Sequence, residues 1–200
     1  MPQRLQEMTD RQLIEAFVHA DAQDFRHEEV FGVFVERHQG AMLSFAASFL
    51  RDDTLAQDVV QEAFLRAARF PQRILQFGEG EKAGSERNWL LKVVRDLSID
   101  SLRRRASEKK AVDRRAETVE RSSPAADVNA EKEEQNAQVR RAIDTLKPRY
   151  RELLILKVRE QKSYREIAQI TGLTVTNVGF LLHQAMQELT EELKRVTGDE

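Results

Sequence analysis

The segment SYREIAQITGLTVTNVGFLLHQ, residues 163–184, decides the fold of the C-terminal part of the chain. Ser163 and Glu166 have the spacing of a capping box, in which a hydroxyl and a carboxylate satisfy the free amides at a helix start. Gly172 suits the left-handed residue that ends a helix, and Thr174 can begin the next helix. A short helix, a turn with glycine and a longer helix form a helix-turn-helix, whose second helix enters the major groove in DNA-binding proteins.

Polar side chains at the start of the second helix are the candidates for contact with base edges. The block 147–165, with seven basic and two acidic residues, lies directly before the motif and can bind backbone phosphates. Residues 166–193 contain no Lys or Arg, so phosphate binding falls to that block. A structural three-helix bundle without a ligand is the alternative. The candidate base contacts are Thr174, Thr176, Asn177, Phe180, His183 and Gln184, and the candidate phosphate contacts are Lys147, Arg149, Arg151, Lys157, Arg159, Lys162 and Arg165.

Composition excludes several classes of protein. The 200 residues include no cysteine, which excludes a disulfide scaffold, a thiol nucleophile and a zinc site built on thiolates. Eight glycines, four prolines and 6% aromatic residues argue against a β-sandwich or a barrel. The longest weakly polar run, residues 41–50, is shorter than the about 20 residues that cross a bilayer, and no signal pattern opens the chain. We therefore expect a cytoplasmic protein with no membrane insertion.

Residues that could support catalysis do not form a recognisable motif. The four histidines, His19, His27, His38 and His183, lack metal-ligand spacing. The glycines of segment 78–84 form neither a dinucleotide fingerprint nor a phosphate-binding loop. No nucleophile motif surrounds a serine. We expect a protein that is not an enzyme, with no catalytic residue, no metal and no cofactor.

Apolar residues recur at steps of three and four along most of the chain, which predicts helices. The stretch 106–133 has almost no large apolar residues and cannot fold alone. The expected fold is all-α, with two small helical domains, 1–105 and 134–200, joined by a flexible linker, 106–133. The second domain contains the helix-turn-helix, and residues 71–85 of the first are predicted to form a loop. The predicted helices cover about residues 9–20, 28–50, 53–70, 85–105 and 134–146, followed by one from Pro148 and the two of the helix-turn-helix.

Several large residues are expected in the core because they continue the apolar stripes of their helices. Trp89 lies beside such a stripe, which favours burial over stacking on a base. The same reasoning predicts that Leu102, Val158, Val175 and Met186 are buried.

The formal net charge of −2 conceals two basic blocks. Residues 87–115 carry ten basic and four acidic side chains, and residues 147–165 carry seven and two. The segments between and around these blocks are acidic. Two compact basic blocks indicate two places that meet a polyanion such as nucleic acid, although solvated helix faces would give the same counts.

Two separated stretches carry a family resemblance. The first is LAQDVVQEAFLR, residues 55–66, with WLLKVVRDLSIDSLRR, residues 89–104; the second is LKPRYRE, residues 146–152, with SYREIA, residues 163–168, and the helix from Thr174. These stretches resemble the second and fourth regions of the extracytoplasmic-function (ECF) class of bacterial RNA polymerase sigma factors, in the same order and joined by a linker without a third domain. The resemblance implies a transcription initiation factor that binds core RNA polymerase, directs it to specific promoters and helps melt the −10 element.

The resemblance also implies partners and sites. The helix 58–66 would dock on the β′ clamp helices of the polymerase, and the second domain on the β flap and on promoter DNA. The loop 71–87 would hold a flipped base, and an anti-sigma factor commonly binds such proteins. The implied polymerase contacts are Asp58, Gln61, Glu62, Leu65 and Arg66; the −10 contacts are Arg87, Asn88, Trp89, Lys92, Arg95, Asp96, Arg103 and Arg104; the −35 contacts are Arg149, Arg151, Arg165, Thr174, Thr176, Asn177, Phe180, His183 and Gln184.

Asp96 is unusual on a surface that would face DNA, because a carboxylate repels phosphate. We expect Asp96 to accept a hydrogen bond from a base amino group, to pair with a neighbouring Arg, or to turn away. Lys92, Arg95 and the run from Arg103 to Arg105 would supply the phosphate contacts.

Two other functions fit part of the pattern. An interaction protein of the same fold would bind polymerase or an inhibitor without recognising a promoter, and the uncharged recognition helix favours it. A helix-turn-helix repressor would not need the acidic-polar face of residues 58–66. Charge reversal at Asp58 and Glu62 separates these functions, because a repressor has no polymerase binding to lose. The predicted helix 9–20 has no assigned function.

Overall fold

The computed structural model describes residues 2–19, 25–77, 85–113, 142–143 and 145–197. The chain divides into two compact units, Met1–Ala106 and Ser107–Glu200. Every regular element in the described residues is helical, which confirms the all-α expectation. No helix among them is long and apolar enough to cross a membrane. The helices are α1 (Pro2–Glu7), α2 (Asp10–His19), α3 (Phe25–Leu50), α4 (Asp53–Arg69), α5 (Pro71–Gln76), α6 (Ser85–Asp113), α7 (Pro148–Leu154) continued by a π-helical turn (Ile155–Arg159), α8 (Tyr164–Thr171) and α9 (Val175–Thr197).

The core of the first unit is formed by the apolar stripes that the sequence predicts. Thr9 begins α2, where its hydroxyl accepts a hydrogen bond from the Gln12 amide at 3.3 Å. Asp52 begins α4, where its carboxylate accepts from the Leu55 amide at 3.0 Å. The buried side chains of α2, α3 and α4 include Leu13, Ile14, Phe34, Met42, Phe45, Val60 and Phe64.

The helix α5 corrects the expectation that residues 71–85 form a loop. Proline fits the first turn of a helix, where its missing amide has no partner to lose, so Pro71 ends one helix and begins another. Ile74 is fully buried, and this anchors the short helix to the unit. Residues 78–84 of the predicted loop lie outside the described residues.

The helix α6 continues to Asp113 and therefore includes residues 106–113, which were predicted as linker. This segment is rich in Ala, Glu and Lys and contains neither glycine nor proline, so it favours continuation of the helix. The expected burial of Leu102 is wrong: its exposed fraction is 37%. The buried face of α6 passes through Ser98 and Ser101 instead, which directs Leu102 away from the core.

The second unit contains the helix-turn-helix as predicted. The Ser163 hydroxyl accepts from the Glu166 amide at 3.3 Å, and the Glu166 carboxylate accepts from the Ser163 amide at 2.8 Å, which completes the capping box. Gly172 ends α8 with a φ of 72°. The Thr174 hydroxyl accepts from the Asn177 amide at 3.2 Å and begins α9. Local hydrogen bonds thus set both ends of the turn.

Three predicted core residues of the second unit are exposed: Val158 at 61%, Val175 at 45% and Met186 at 49%. Val158 lies in the π-helical turn, whose wider spacing rotates it out of the stripe of α7. Val175 is the first residue of α9, and Met186 lies beside the buried line of that helix. Most of the predicted helix 134–146 falls outside the described residues, although Ala142 and Leu146 are described and buried.

Candidate functional site

One face of α4 carries the five residues that the sequence assigns to polymerase binding. Asp58, Gln61 and Arg66 are exposed, Glu62 is half-buried, and Leu65 has an exposed fraction of 52%. Glu62 accepts a hydrogen bond from the Arg66 guanidinium at 2.8 Å, one helical turn away. The opposite face of α4 is buried, so the structure brings these five side chains to one accessible surface.

An apolar groove of about 540 Å³ runs between α3 and α4 beside this face. Gln61 and Leu65 belong both to the predicted polymerase face and to the lining of the groove. Sequence periodicity missed the groove, because it assigns stripe residues to the core without showing where two helices separate. The other lining residues are Phe31, Val35, Gln39, Leu43, Gln57, Val60, Phe64 and Ala68.

The residues assigned to the −10 element are divided between the surface and the core of α6. Arg103 and Arg104 are exposed, whereas Arg87, Lys92 and Asp96 are half-buried. The first turns of α6 lie inside the unit, so some of the predicted −10 contacts are buried. The buried members are Asn88 at 4% exposure, Trp89 at 7% and Arg95 at 9%. Trp89 is thus a core residue, as its position beside the stripe predicts.

Asp96 pairs with two cations of its own helix. The Lys92 ammonium lies 2.9 Å from one carboxylate oxygen, and the Arg95 guanidinium lies 2.8 Å from the other. Of the three expectations for Asp96, pairing with a neighbouring Arg is the one that the structure bears out.

A second aspartate binds a cation of α6 from another helix. The Arg105 guanidinium lies 2.8 Å from the Asp52 carboxylate at the start of α4. The hydrogen bond from the Leu55 amide and the pairing with Arg105 hold the pKa of Asp52 below its usual range. The sequence assigned Arg105 to phosphate, and no local pattern could predict a partner 53 residues away.

The start of α9 exposes the side chains assigned to base contact. Thr174, Thr176, Asn177 and His183 are exposed, and Phe180 has an exposed fraction of 61%. These residues share one surface of the helix-turn-helix.

Gln184 differs from these residues because it is half-buried. Its side-chain oxygen accepts a hydrogen bond from the Tyr150 hydroxyl at 2.9 Å, which joins α7 to α9.

The cations of the block 147–165 do not form a uniform surface. Arg149 and Arg165 are exposed. Arg151 is half-buried and donates to the backbone carbonyls of Ile143 and Leu146, each at 3.2 Å. Arg151 therefore has a structural role in the unit.

Two lysines of the same block are also engaged within the protein. Lys162 is buried and lies 3.6 Å from Glu166. The ammonium of Lys157 lies 5.2 Å from the centre of the Tyr164 ring, within range of a cation–π contact. Within the described residues, no group of three or more His, Cys, Asp or Glu side chains could bind a metal ion.

Two sequence profiles match the two units in order. Residues 34–108 match "Sigma-70 region 2", and residues 136–189 match "Sigma-70, region 4". The ECF RNA polymerase sigma factor SigE of Mycolicibacterium smegmatis is 27% identical over 82% of this chain and 62% of its own length. The probable RNA polymerase sigma factor RfaY of Xanthomonas campestris is 28% identical over 83% and 41%. The chain thus spans less than two thirds of the length of these two relatives.

A solved structure has the same fold. The sigma factor RpoE of Bartonella quintana, in complex with the anti-sigma factor NepR, aligns with a TM-score of 0.62 at 22% identity, over 82% of this chain and 96% of RpoE. Because the two domain profiles occur in the order of region 2 and region 4 and the relatives include an ECF sigma factor, the chain belongs to the sigma-70 family, in its extracytoplasmic-function class.

Proposed function

We propose that this protein is a transcription initiation factor that binds core RNA polymerase and directs it to specific promoters. The observation that carries the proposal is the presence, in one chain, of an exposed acidic-polar face on α4 and a helix-turn-helix in the second unit. The protein acts in the bacterial cytoplasm beside the polymerase. The polymerase carries out the chemistry, and this chain contributes binding alone.

The face of α4 binds the β′ clamp helices of the polymerase. Asp58 and Glu62 give this face acidic groups, which complement a basic partner. The exposed Leu65 and the adjacent groove supply apolar area that becomes buried on docking. The second unit docks on the β flap.

The helix α6 and the segment before it bind the −10 element. Melting requires that unpaired bases be trapped, so that binding energy offsets the cost of unstacking. Arg103 and Arg104 are exposed and contact backbone phosphates, which adds a salt-sensitive and sequence-independent contribution to binding.

The helix α9 reads the −35 element. Thr176 and Asn177 face base edges, where an Asn amide can form two hydrogen bonds with adenine. Phe180 contacts thymine methyl groups, which an exposed aromatic ring can reach in the major groove. Arg149 and Arg165 bind phosphates next to the helix.

An anti-sigma factor controls the protein. The Bartonella quintana relative of similar fold is described in complex with the anti-sigma factor NepR, and we propose a regulator of the same kind for this chain.

The test of polymerase binding is the double charge reversal Asp58→Arg with Glu62→Arg. We expect binding to core polymerase to weaken at least tenfold, because like charges then meet across the interface. The matched control is Glu29→Arg with Glu191→Arg, which changes the net charge equally at exposed positions outside the proposed face. Equal binding by both double variants would show that α4 does not dock on the clamp.

The test of promoter recognition adds the purified chain to bacterial core polymerase with fragmented genomic DNA, followed by sequencing of the transcript 5′ ends. Discrete start sites that share an upstream motif are expected. Random starts despite tight polymerase binding would contradict promoter recognition.

A second function, an interaction protein without promoter recognition, is favoured by one observation. The recognition helix exposes Phe180 and has no cation near the proposed base contacts. Start-site mapping separates the two functions: random starts with the wild-type chain support the interaction protein, whereas discrete starts that Asn177→Ala alters support base readout by α9.

A further inference from the structure

The carboxylate of Asp96 is occupied by cations on both of its oxygen atoms. One oxygen lies 2.9 Å from the Lys92 ammonium and the other 2.8 Å from the Arg95 guanidinium. The exposed fractions of the Asp96 and Lys92 side chains are 43% and 38%, so solvent and a ligand can reach this pair. Arg95 is exposed to only 11%, and Asp96 therefore also fixes a largely enclosed guanidinium.

We propose that Asp96 is a specificity-determining residue, which screens the accessible Lys92 from DNA phosphates and so weakens sequence-independent binding by α6. The proposal rests on the proposed function, in which α6 binds the −10 element. It adds that a negative charge within the basic face is part of how this protein selects its DNA.

The physical reason lies in how phosphate binding works. Each cation that neutralises a phosphate releases a condensed counterion, and this gain is the same for every sequence. A cation that is already paired within the protein must exchange an aspartate for a phosphate, so its net gain is smaller. Loss of affinity for all sequences raises the share of binding that depends on base contacts, and selectivity rises with it.

Two other cations of α6 are also paired with aspartates. Arg105 lies 2.8 Å from Asp52, and Arg103 lies 3.5 Å from Asp100. Screening by aspartates is thus a recurring feature of the basic face of α6. Asp96 is the member that contacts two cations at short distance, and we expect it to have the largest effect.

Base recognition by Asp96 is a competing role. Both oxygens of Asp96 already accept a hydrogen bond from a cation, and each retains a second lone pair that a base amino group could use. The two roles predict opposite effects when the charge is removed, and the experiment below separates them.

The experiment measures binding of the holoenzyme to two probes over a range of salt concentrations. One probe is a forked duplex that carries the upstream motif found by start-site mapping, and the other is a single-stranded oligothymidylate. The variant Asp96→Asn keeps the size of the side chain and removes its charge. We expect the oligothymidylate salt dependence, log Kd against log salt, to steepen by about 0.7, the effect of one more phosphate contact with a single strand.

For Asp96→Asn at low salt, we expect the affinity for oligothymidylate to rise by about threefold to tenfold. The preference of the holoenzyme for the promoter fork over oligothymidylate should fall by the same factor. Asp96→Glu retains the charge and should keep the wild-type slope. Asp53→Asn is the matched control, since it makes the same change at an exposed residue of α4 for which we propose no role. Thermal melting of each variant detects a merely structural effect, which would lower stability without a change in slope.

Two outcomes overturn the inference. If Asp96→Asn leaves the slope equal to that of Asp53→Asn, Asp96 does not screen Lys92. If the variant weakens binding to the promoter fork alone, with no gain for oligothymidylate, Asp96 reads a base instead. Failure of the proposed function is a separate result, because it appears in the wild-type holoenzyme as an absence of preference for the fork.

Discussion

The two helices that we propose to face DNA, α6 and α9, differ in their basic side chains. Four of the eight cations of α6 lie within 3.5 Å of an aspartate, so part of its basic face is paired within the protein. The recognition face of α9 has no cation to pair, since residues 166–193 contain no Lys or Arg. In our proposal, selectivity at α6 depends on reduced phosphate attraction, whereas α9 exposes polar and aromatic side chains and takes its phosphate contacts from cations of neighbouring helices.

The aromatic side chains of the two regions show the same contrast. Trp89 is enclosed at the start of α6 with an exposed fraction of 7%, and Phe180 projects from α9 at 61%. Trp89 therefore belongs to the core and Phe180 to the surface, although both lie in segments that the family resemblance assigns to DNA binding.

The largest expected effect is on the stability of the first unit. Trp89→Ala should lower its free energy of unfolding by about 3–5 kcal/mol, because it leaves a cavity in the core. Phe180→Ala should change the stability of the second unit by less than about 0.5 kcal/mol. Urea unfolding followed by far-UV circular dichroism checks both values. Similar small losses for the two variants would show that Trp89 is not a core residue.

The next effect concerns the contact between α2 and α3. The Asp10 carboxylate lies 2.9 Å from the His38 ring nitrogen and 2.7 Å from the Arg37 guanidinium. Burial raises the pKa of Asp10, but hydrogen bonds and charges from His38 and Arg37 outweigh it and hold the pKa below its usual range. The ionised carboxylate therefore stabilises the fold above about pH 4, and this contribution is lost as the pH falls through the folded-state pKa.

Asp10→Asn should accordingly lower the free energy of unfolding by about 1–3 kcal/mol at pH 7, and the difference should close below about pH 4. The fluorescence of Trp89, the single tryptophan, reports urea unfolding of this unit. Glu7→Gln, at an exposed residue of α1, is the control for net charge. A loss that does not vary with pH would contradict the ionic contact.

The third effect separates two kinds of Arg in the second unit. Replacement of both Arg149 and Arg165 by Ala should reduce the slope of log Kd against log salt for duplex DNA by about 1.8, because two phosphate contacts are lost. Arg151→Ala should leave the slope unchanged and lower stability instead, since its guanidinium binds the carbonyls of Ile143 and Leu146. A reduced slope for Arg151→Ala would place that residue on the DNA surface.

The smallest effect is at Gly179, which lies in α9 between the proposed base contacts Asn177 and Phe180. A Cβ atom there would meet the Tyr164 ring at 3.5 and 3.8 Å, which is ordinary van der Waals contact. Gly179→Ala should therefore raise the free energy of unfolding by about 0.5–1 kcal/mol through its helix propensity. Thermal melting gives the value, and a destabilised variant would show that the ring cannot accommodate a methyl group.

Local patterns predict much of the fold and fail where partners are distant in sequence. The capping box at Ser163 and the cap at Asp52 are contacts over three residues, and spacing alone identifies them. The Tyr150–Gln184 and Asp52–Arg105 contacts span 34 and 53 residues, and no periodicity reveals them. Sequence spacing therefore predicts which residues share a helix face, but not which of them are enclosed or paired with a distant residue.

The sequence by itself determined most of the helices, several of their caps and the helix-turn-helix, because these follow from spacings within a few residues of one another. Only the tertiary structure decided which members of each polar set reach the surface. It enclosed Asn88 and Arg95, paired Arg105 with Asp52, and opened a groove beside α4. The physical reason is that helix periodicity defines a face, whereas burial and pairing on that face depend on what a separate part of the chain places against it.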